Sequence, residues 1–440
     1  MNGPSADPYL PGHGDPAFGV RHYDLELDYA VVGNRLDARA ELAIDVLETT
    51  SRLVLDLAHL RVAKVNVRGA SLARYRSPRH RLVLDLERPV EAGTELTVTI
   101  RYSGSPKPLV VRHHGDAGWE ELTDGVIVAA QPHGAPTWFP CNDRPDDKAT
   151  YRIRVRTADG YHVAASGELV DRSRHGNGES WEYEQRAPMA TYLATLQIGR
   201  YVEWPVPQPA SGVPVRVVGP ADLDDDVLAA GFGRQGEMVD AFERLFGPYP
   251  FASYTAVITD DQLEIPLESQ SLSTFGRNFV SDEWSRTRLI AHELAHQWFG
   301  NAVTLTGWSD IWLHEGFACY SEWLWSEESG QGTVEEHAHR HWQRLADLDQ
   351  DLLLTDPGPE LMFDDRLYKR GALALHALRH AVGDEAFFDL LRSWVVEHAG
   401  GSVTTDQFLD FATRRTGHSA SILLTPWIAR TELPPLPTAG

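Results

Sequence analysis

Leu289-Ile290-Ala291-His292-Glu293-Leu294-Ala295-His296-Gln297-Trp298-Phe299-Gly300 is the stretch from which the rest of the chain can be read. It contains His-Glu-x-x-His. On a helix, positions i and i+4 lie one turn apart on one face, so the two imidazoles can reach one ion. Glu293 sits ~100° round the helix from His292, beside such an ion rather than on it, where a carboxylate can take a proton from water. Leu289, Ile290, Leu294, Trp298 and Phe299 make the segment amphipathic, and polar groups amid that apolar surface need partners. Ser281-Asp282-Glu283 reads as a capped, acidic helix start.

A third ligand must come from elsewhere. Glu315 lies 19 residues beyond His296, within Ser309-Asp310-Ile311-Trp312-Leu313-His314-Glu315-Gly316-Phe317-Ala318. This too is the apolar side of a helix, where an unpaired carboxylate is costly. Two His and one Glu leave a fourth tetrahedral position open, the catalytic rather than the structural pattern of zinc. Cys319 reads as a small core residue. Glu322, seven residues past Glu315 on the same helical face, is either a partner that orients a ligand His or a surface carboxylate.

Working outward, the two halves of the chain differ in period. From Arg21 to about Tyr201 the period is two: Tyr23, Leu25, Leu27 and Tyr29; Leu82, Leu84 and Leu86; Leu96, Val98, Ile100 and Tyr102; Tyr151, Ile153 and Val155. Gly33-Asn34, Ala92-Gly93 and Gly176-Asn177-Gly178 punctuate these runs as turns. The pattern predicts an antiparallel β domain. Trp204-Pro205-Val206-Pro207-Gln208-Pro209 then breaks it. Beyond lie helical segments near 224–246, 282–299, 311–328, 333–349, 367–382, 384–398 and 404–415, with a mixed stretch at 251–275. The architecture is multi-domain, β then mostly α, with the site expected between the domains.

Composition limits the function. The 440 residues are 42% hydrophobic and 23% charged, an ordinary globular balance. A net charge of −23 disfavours nucleic acid and anionic membrane as partners. There is no run of 18 apolar residues and no apolar leader near the N-terminus, and the two cysteines, Cys141 and Cys319, suit a reducing compartment. The expectation is a cytoplasmic protein.

The zinc motif with its downstream Glu in Leu313-His314-Glu315-Gly316-Phe317-Ala318 resembles the zinc aminopeptidase (gluzincin metallopeptidase) family that includes aminopeptidase N and the leukotriene hydrolase. Phe246-Gly247-Pro248-Tyr249-Pro250-Phe251 resembles that family's entry into its catalytic domain, and Val20-Arg21-His22-Tyr23 its first strand. The resemblance covers nearly all of residues 15–436. It implies a tail over 1–14, a β-saddle domain over 15–204, a thermolysin-like catalytic domain over 205–436 and a tail over 437–440. The end near Pro426-Trp427 resembles the end of the family's catalytic domain. The large C-terminal helical domain of longer members is then missing, and a more open site is expected.

The resemblance also implies roles. One Zn2+ per chain would be held by His292, His296 and Glu315, with Glu293 as the base and Tyr368, in Tyr368-Lys369-Arg370-Gly371, as the oxyanion donor. Glu268 would bind the free α-ammonium of a peptide, with Glu264 as a competitor for that place. The family has Gly-x-Met-Glu-Asn where this chain has Ile265-Pro266-Leu267-Glu268-Ser269. Leu267 therefore stands for the Met near the first side-chain pocket. Gln131 would supply the second ammonium contact, with a cis Gln131–Pro132 bond and Lys148 at the family's Lys. His314 either touches substrate or packs, and His376 and His380 read as structural. The implied function is removal of N-terminal residues from peptides with a free N-terminus. The rivals are epoxide hydrolysis as in the leukotriene hydrolase branch, endopeptidase activity, and non-catalytic peptide binding on the same scaffold. Oligomeric state is not legible.

Overall fold

The computed structural model describes residues 7–437, so the expected tail positions 1–6 and 438–440 lie outside the described residues. Alternation of large apolar and polar residues builds the first half. In Phe18–Ala30 the side chains of Tyr23, Leu25, Leu27 and Tyr29 turn inward and are buried, while the residues between them face solvent. This strand lies inside a seven-stranded sheet ordered Glu168–His175, Gly178–Met189, Ala149–Ala158, Phe18–Ala30, Arg35–Val46, Glu95–Gly104, Arg61–Arg68. The pairings are antiparallel with one exception, a correction to the all-antiparallel expectation. Phe18–Ala30 runs parallel to Ala149–Ala158, with Leu25 opposite Ile153. A parallel neighbour needs a long crossover, which strand-by-strand periodicity does not reveal. Gly33 (φ +88°) and Asn34 (φ +45°) make the expected turn into Arg35–Val46 in the left-handed region.

Two smaller sheets complete this half. Thr50–Asp56, Arg81–Val90 and Leu72–Arg76 form one; His162–Ala165, Leu196–Gly199, Gly125–Ala129, Gly115–Leu122 and Leu109–Val111 form the other. The expected tail over 1–14 is corrected for residues 7–14. Tyr9 and Leu10 are buried, the Asp7 carboxylate accepts from the Trp308 backbone N–H at 2.7 Å, and His13 Nδ1 lies 2.8 Å from Asp143 Oδ2. Tyr9 and Leu10 carry apolar surface that gains by burial against the catalytic half.

That half opens slightly earlier than residue 205. Val202–Trp204 pairs with Val215–Gly219, in a sheet continued by Tyr254–Thr259, Leu272–Gly276 and the edge strand Leu267–Ser269. The mixed stretch thus supplies three strands, the last two joined as a hairpin. The helices are α1 (Asp225–Ala230), α2 (Gln235–Phe246), α3 (Trp284–Ala295), α4 (Trp312–Glu328), α5 (Val334–Ala346), α6 (Asp365–Val382), α7 (Asp384–His398), α8 (Thr405–Thr416) and α9 (Ala420–Ile428). One expected helix, 224–246, is split at Gly231. α9 was not anticipated, because Pro426 inside it reads as a breaker. α3 begins after Glu283, whose side chain makes no cap, and its first turn holds no acid, so the expected capped acidic start is corrected.

Candidate active site

α3 and α4 carry the central cluster. His292 and His296 lie one turn apart with ring centroids 4.8 Å apart, and both are buried. α4 brings Glu315 against them: its Oε2 is 3.3 Å from His292 Nε2 and 3.4 Å from His296 Nε2. The remaining ring nitrogens are occupied elsewhere. His292 Nδ1 is 2.8 Å from Glu322 Oε1, and His296 Nδ1 is 3.0 Å from the Phe299 carbonyl oxygen. A ring that donates from Nδ1 presents Nε2 as a lone-pair donor. Two Nε2 atoms and a carboxylate oxygen therefore converge. Their separations match the edge of about 3.3 Å expected for a tetrahedron with bonds of about 2.0–2.1 Å. The donors fit a zinc ion.

Glu322 is not a surface carboxylate. Its second oxygen accepts from Arg288 Nη1 at 2.9 Å. Burial acts to raise its carboxyl, but Lys369, Arg288 and the His292 hydrogen bond outweigh burial and hold it well below the usual range. Burial likewise works against ionised Glu315, and the two imidazoles beside it prevail and keep it low. Glu293 differs. It is buried with no cationic side chain bonded to it among the described residues, and burial, with Glu268 and Glu315 nearby, pushes its carboxyl up to about 8 against the pull of the two imidazoles.

The β domain reaches the same place. Gln131 Nε2 donates to Glu268 Oε1 at 2.7 Å, and the Gln131–Pro132 peptide bond is cis, as expected. Glu268 is buried, and its carboxylate, that of Glu293 and an imidazole nitrogen of His296 lie within 4.8 Å of one another. Its competitor Glu264 stays outside this cluster. Leu267, half-buried opposite Thr274 in the hairpin, is not set apart from an ordinary edge-strand residue.

Tyr368 lies in the first turn of α6 with its ring stacked on His292, centroids 6.0 Å apart and 18° from parallel. Burial first, then Glu315, Glu268 and Glu293, drive its hydroxyl well above the usual value, so it keeps its proton. The helix that carries it, α6, crosses α4 closely at two glycines. A Cβ on Gly316 would meet Gly371 Cα at 2.9 Å, and one on Gly371 would meet Gly316 Cα at 2.7 Å. His314 packs: its Nε2 accepts from the Leu305 backbone N–H at 3.0 Å, so it is not a ligand.

Sequence reasoning missed the residues that hold the edge strand to α3. Gln297 accepts from the Ser271 N–H at 2.8 Å and donates to the Ser269 carbonyl at 3.1 Å, and Asn301 donates to that carbonyl at 3.0 Å. Their only signal was two buried amides flanking a glycine after the zinc motif. The Phe246–Phe251 segment also finds its purpose here. Trp298 Nε1 donates to the Gly247 carbonyl at 2.9 Å, and Phe246 and Tyr249 pack edge-on to the Trp298 ring.

A β domain feeding a helical domain with a His/His/Glu cluster on paired helices defines a metallopeptidase-type fold. Residues 232–427 match the Peptidase family M1 domain and residues 20–193 the Peptidase M1 N-terminal domain. An M1 zinc metallopeptidase from Deinococcus radiodurans superposes with a TM-score of 0.89 at 32% identity, over all of both chains. A mutant of that protein, solved with a Tyr-Ser-Ala substrate, matches with the same score and identity over all of its chain. Aminopeptidase M1 of Arabidopsis thaliana is 24% identical over 95% of this chain and 51% of its own. The chain belongs to peptidase family M1. It spans about half the length of the curated relatives it matches. Zinc is the metal of its full-length structural neighbours, and the cluster suits one such ion per chain. No helix among the described residues is long and apolar enough to cross a membrane.

Proposed function

We propose that the chain is a zinc-dependent aminopeptidase that removes the N-terminal residue from peptides with a free N-terminus. The observation that carries this reading is the hydrogen-bonded pair of part-buried Gln131 and buried Glu268 beside the His/His/Glu cluster. Because Gln131 spends an N–H on Glu268 Oε1, its own amide oxygen and Glu268 Oε2 remain as acceptors. A buried carboxylate next to a spare amide oxygen has the chemistry of an ammonium site.

His292, His296 and Glu315 would hold the zinc, with Glu322 fixing the His292 ring. Bound there, zinc supplies a Lewis acid that polarises the scissile carbonyl and acidifies the attacking water. Glu293 takes the proton of that water and passes it to the leaving amine. The Tyr368 hydroxyl donates to the developing oxyanion. Glu268 and Gln131 anchor the α-ammonium and so fix the cut one residue in, while Leu267 offers an apolar wall to the first side chain. The cytoplasm is the compartment proposed, supported by two free, buried cysteines.

The test is a panel of free and N-acetylated aminoacyl amides, with and without chelator, on wild type and Glu293→Gln. Free substrates should be hydrolysed, acetylated ones left intact, and both chelator and the substitution should abolish turnover. Equal cleavage of acetylated substrates would overturn the reading.

A further inference from the structure

A second set of metal donors lies on the outer side of the helical domain, where α5 packs on α6. His376 and His380 are one turn apart on α6, the spacing that also relates His292 and His296. Their ring centroids are 4.5 Å apart. Glu335, in the first turn of α5, places Oε2 3.3 Å from His376 Nε2 and 3.1 Å from His380 Nε2. These separations repeat those of the first cluster, 3.3 and 3.4 Å, and lie close to the edge of about 3.3 Å of a zinc-sized tetrahedron. The His380–Glu335 hydrogen bond fits the structural role expected of the two histidines but leaves His376 Nε2 unaccounted for.

His376 makes the case sharper. Its side chain is 3% exposed, and Nε2 lies 3.3 Å from Glu335 Oε2 without the geometry of a hydrogen bond, while His380 Nε2 is hydrogen-bonded to that same oxygen at 3.1 Å. A buried ring nitrogen beside a carboxylate yet without a hydrogen bond calls for a partner, and an interposed cation is one that would satisfy it. His376 Nδ1 faces the Tyr320 hydroxyl at 3.5 Å. Arg379, whose charge acts on His376, is engaged by Asp384 through contacts of 2.8 and 2.9 Å.

We propose that Glu335, His376 and His380 form a second site for a divalent transition-metal ion of the zinc or cobalt kind, one that staples α5 to α6. It binds more weakly than the first. Glu335 is half exposed, and His376 Nδ1 is supported by a hydroxyl rather than by a carboxylate such as Glu322. Occupancy therefore follows the free metal concentration and braces the helix whose first turn bears Tyr368.

The experiment titrates the zinc-loaded enzyme with Co2+ by calorimetry and visible absorption, in wild type, Glu335→Gln and His380→Ala. Neither substitution touches the active-site cluster, and aminoacyl amide turnover before Co2+ addition serves as the check on folding. Wild type should take up one further equivalent while keeping its zinc, and each variant should bind that Co2+ at least tenfold more weakly. Wild type that binds no added Co2+ up to millimolar concentration, or either variant binding it as tightly as wild type, would overturn the proposal.

Discussion

At the scale of single residues, burial decides which carboxylate does what. Glu315 and Glu322 sit against imidazoles or guanidinium and stay ionised, whereas Glu293 has no bonded cation and is raised to about 8. A base must be ionised to act, so activity rises as pH rises through its pKa. A divalent ion held nearby pulls that value down again. The acid limb of kcat/KM against pH is therefore expected above the ordinary Glu value of 4.5 and not beyond about 8. A limb centred below 4.5 would show that Glu293 is not the titrating base. Glu322→Ala removes the partner of His292 Nδ1 and leaves Arg288 unpaired. Zinc affinity, measured against a competing chelator, should fall by about 10–100-fold. At this scale the sequence was most informative, since His292, Glu293 and His296 are readable from spacing and Glu315 from its place on an apolar helix face and from the family resemblance. It left Glu322 open between two roles, because helical spacing gives a face and not the partner across it.

At the scale of elements, the site depends on how closely α4 and α6 cross. Gly316 and Gly371 lie backbone to backbone, and a methyl on either has no room. Gly371→Ala should lower stability by about 1–3 kcal/mol in urea unfolding and reduce kcat more than it raises KM. The helices part, and Tyr368 moves off the His292 ring. Unchanged kcat in a folded variant would place Tyr368 outside the chemistry. Most helices were legible from their period, whereas the Thr333 and Thr404 capping boxes at the starts of α5 and α8 emerge only in the structure. The split at Gly231 and the presence of α9 were not, because tertiary packing decides whether one Gly ends a helix or one Pro is tolerated inside it.

At the scale of the whole molecule, Lys148 ties the β domain to the catalytic half. Its ammonium donates to the carbonyls of Asn301, Ala302 and Gly401 at 3.0, 3.1 and 3.2 Å. Burial lowers it from 10.5 to about 7. Its folded pKa is thus depressed, so the unfolded chain binds more protons between about pH 7 and 10. The associated stability is present above the unfolded value and lost as pH falls through the folded one. Unfolding free energies of wild type and Lys148→Met should diverge in favour of wild type as pH rises over that window, by up to ~1.4 kcal/mol per unit. A difference that stays constant with pH would mean that the lysine titrates as if exposed.

The sequence by itself determined the two-part architecture and the His-Glu-x-x-His motif, because hydrophobic period and helical spacing are local properties of the chain, and the family resemblance pointed to Glu315 as the candidate third ligand. Only the tertiary structure decided which groups meet across elements: Gln131 with Glu268 over 137 residues, Glu322 with His292, and Glu335 with His376 and His380. It also revealed that residues 7–14 pack and that one strand pair in the large sheet of the β domain is parallel. Such contacts depend on the relative placement of distant segments, and periodicity gives the face of each element without naming the face it meets.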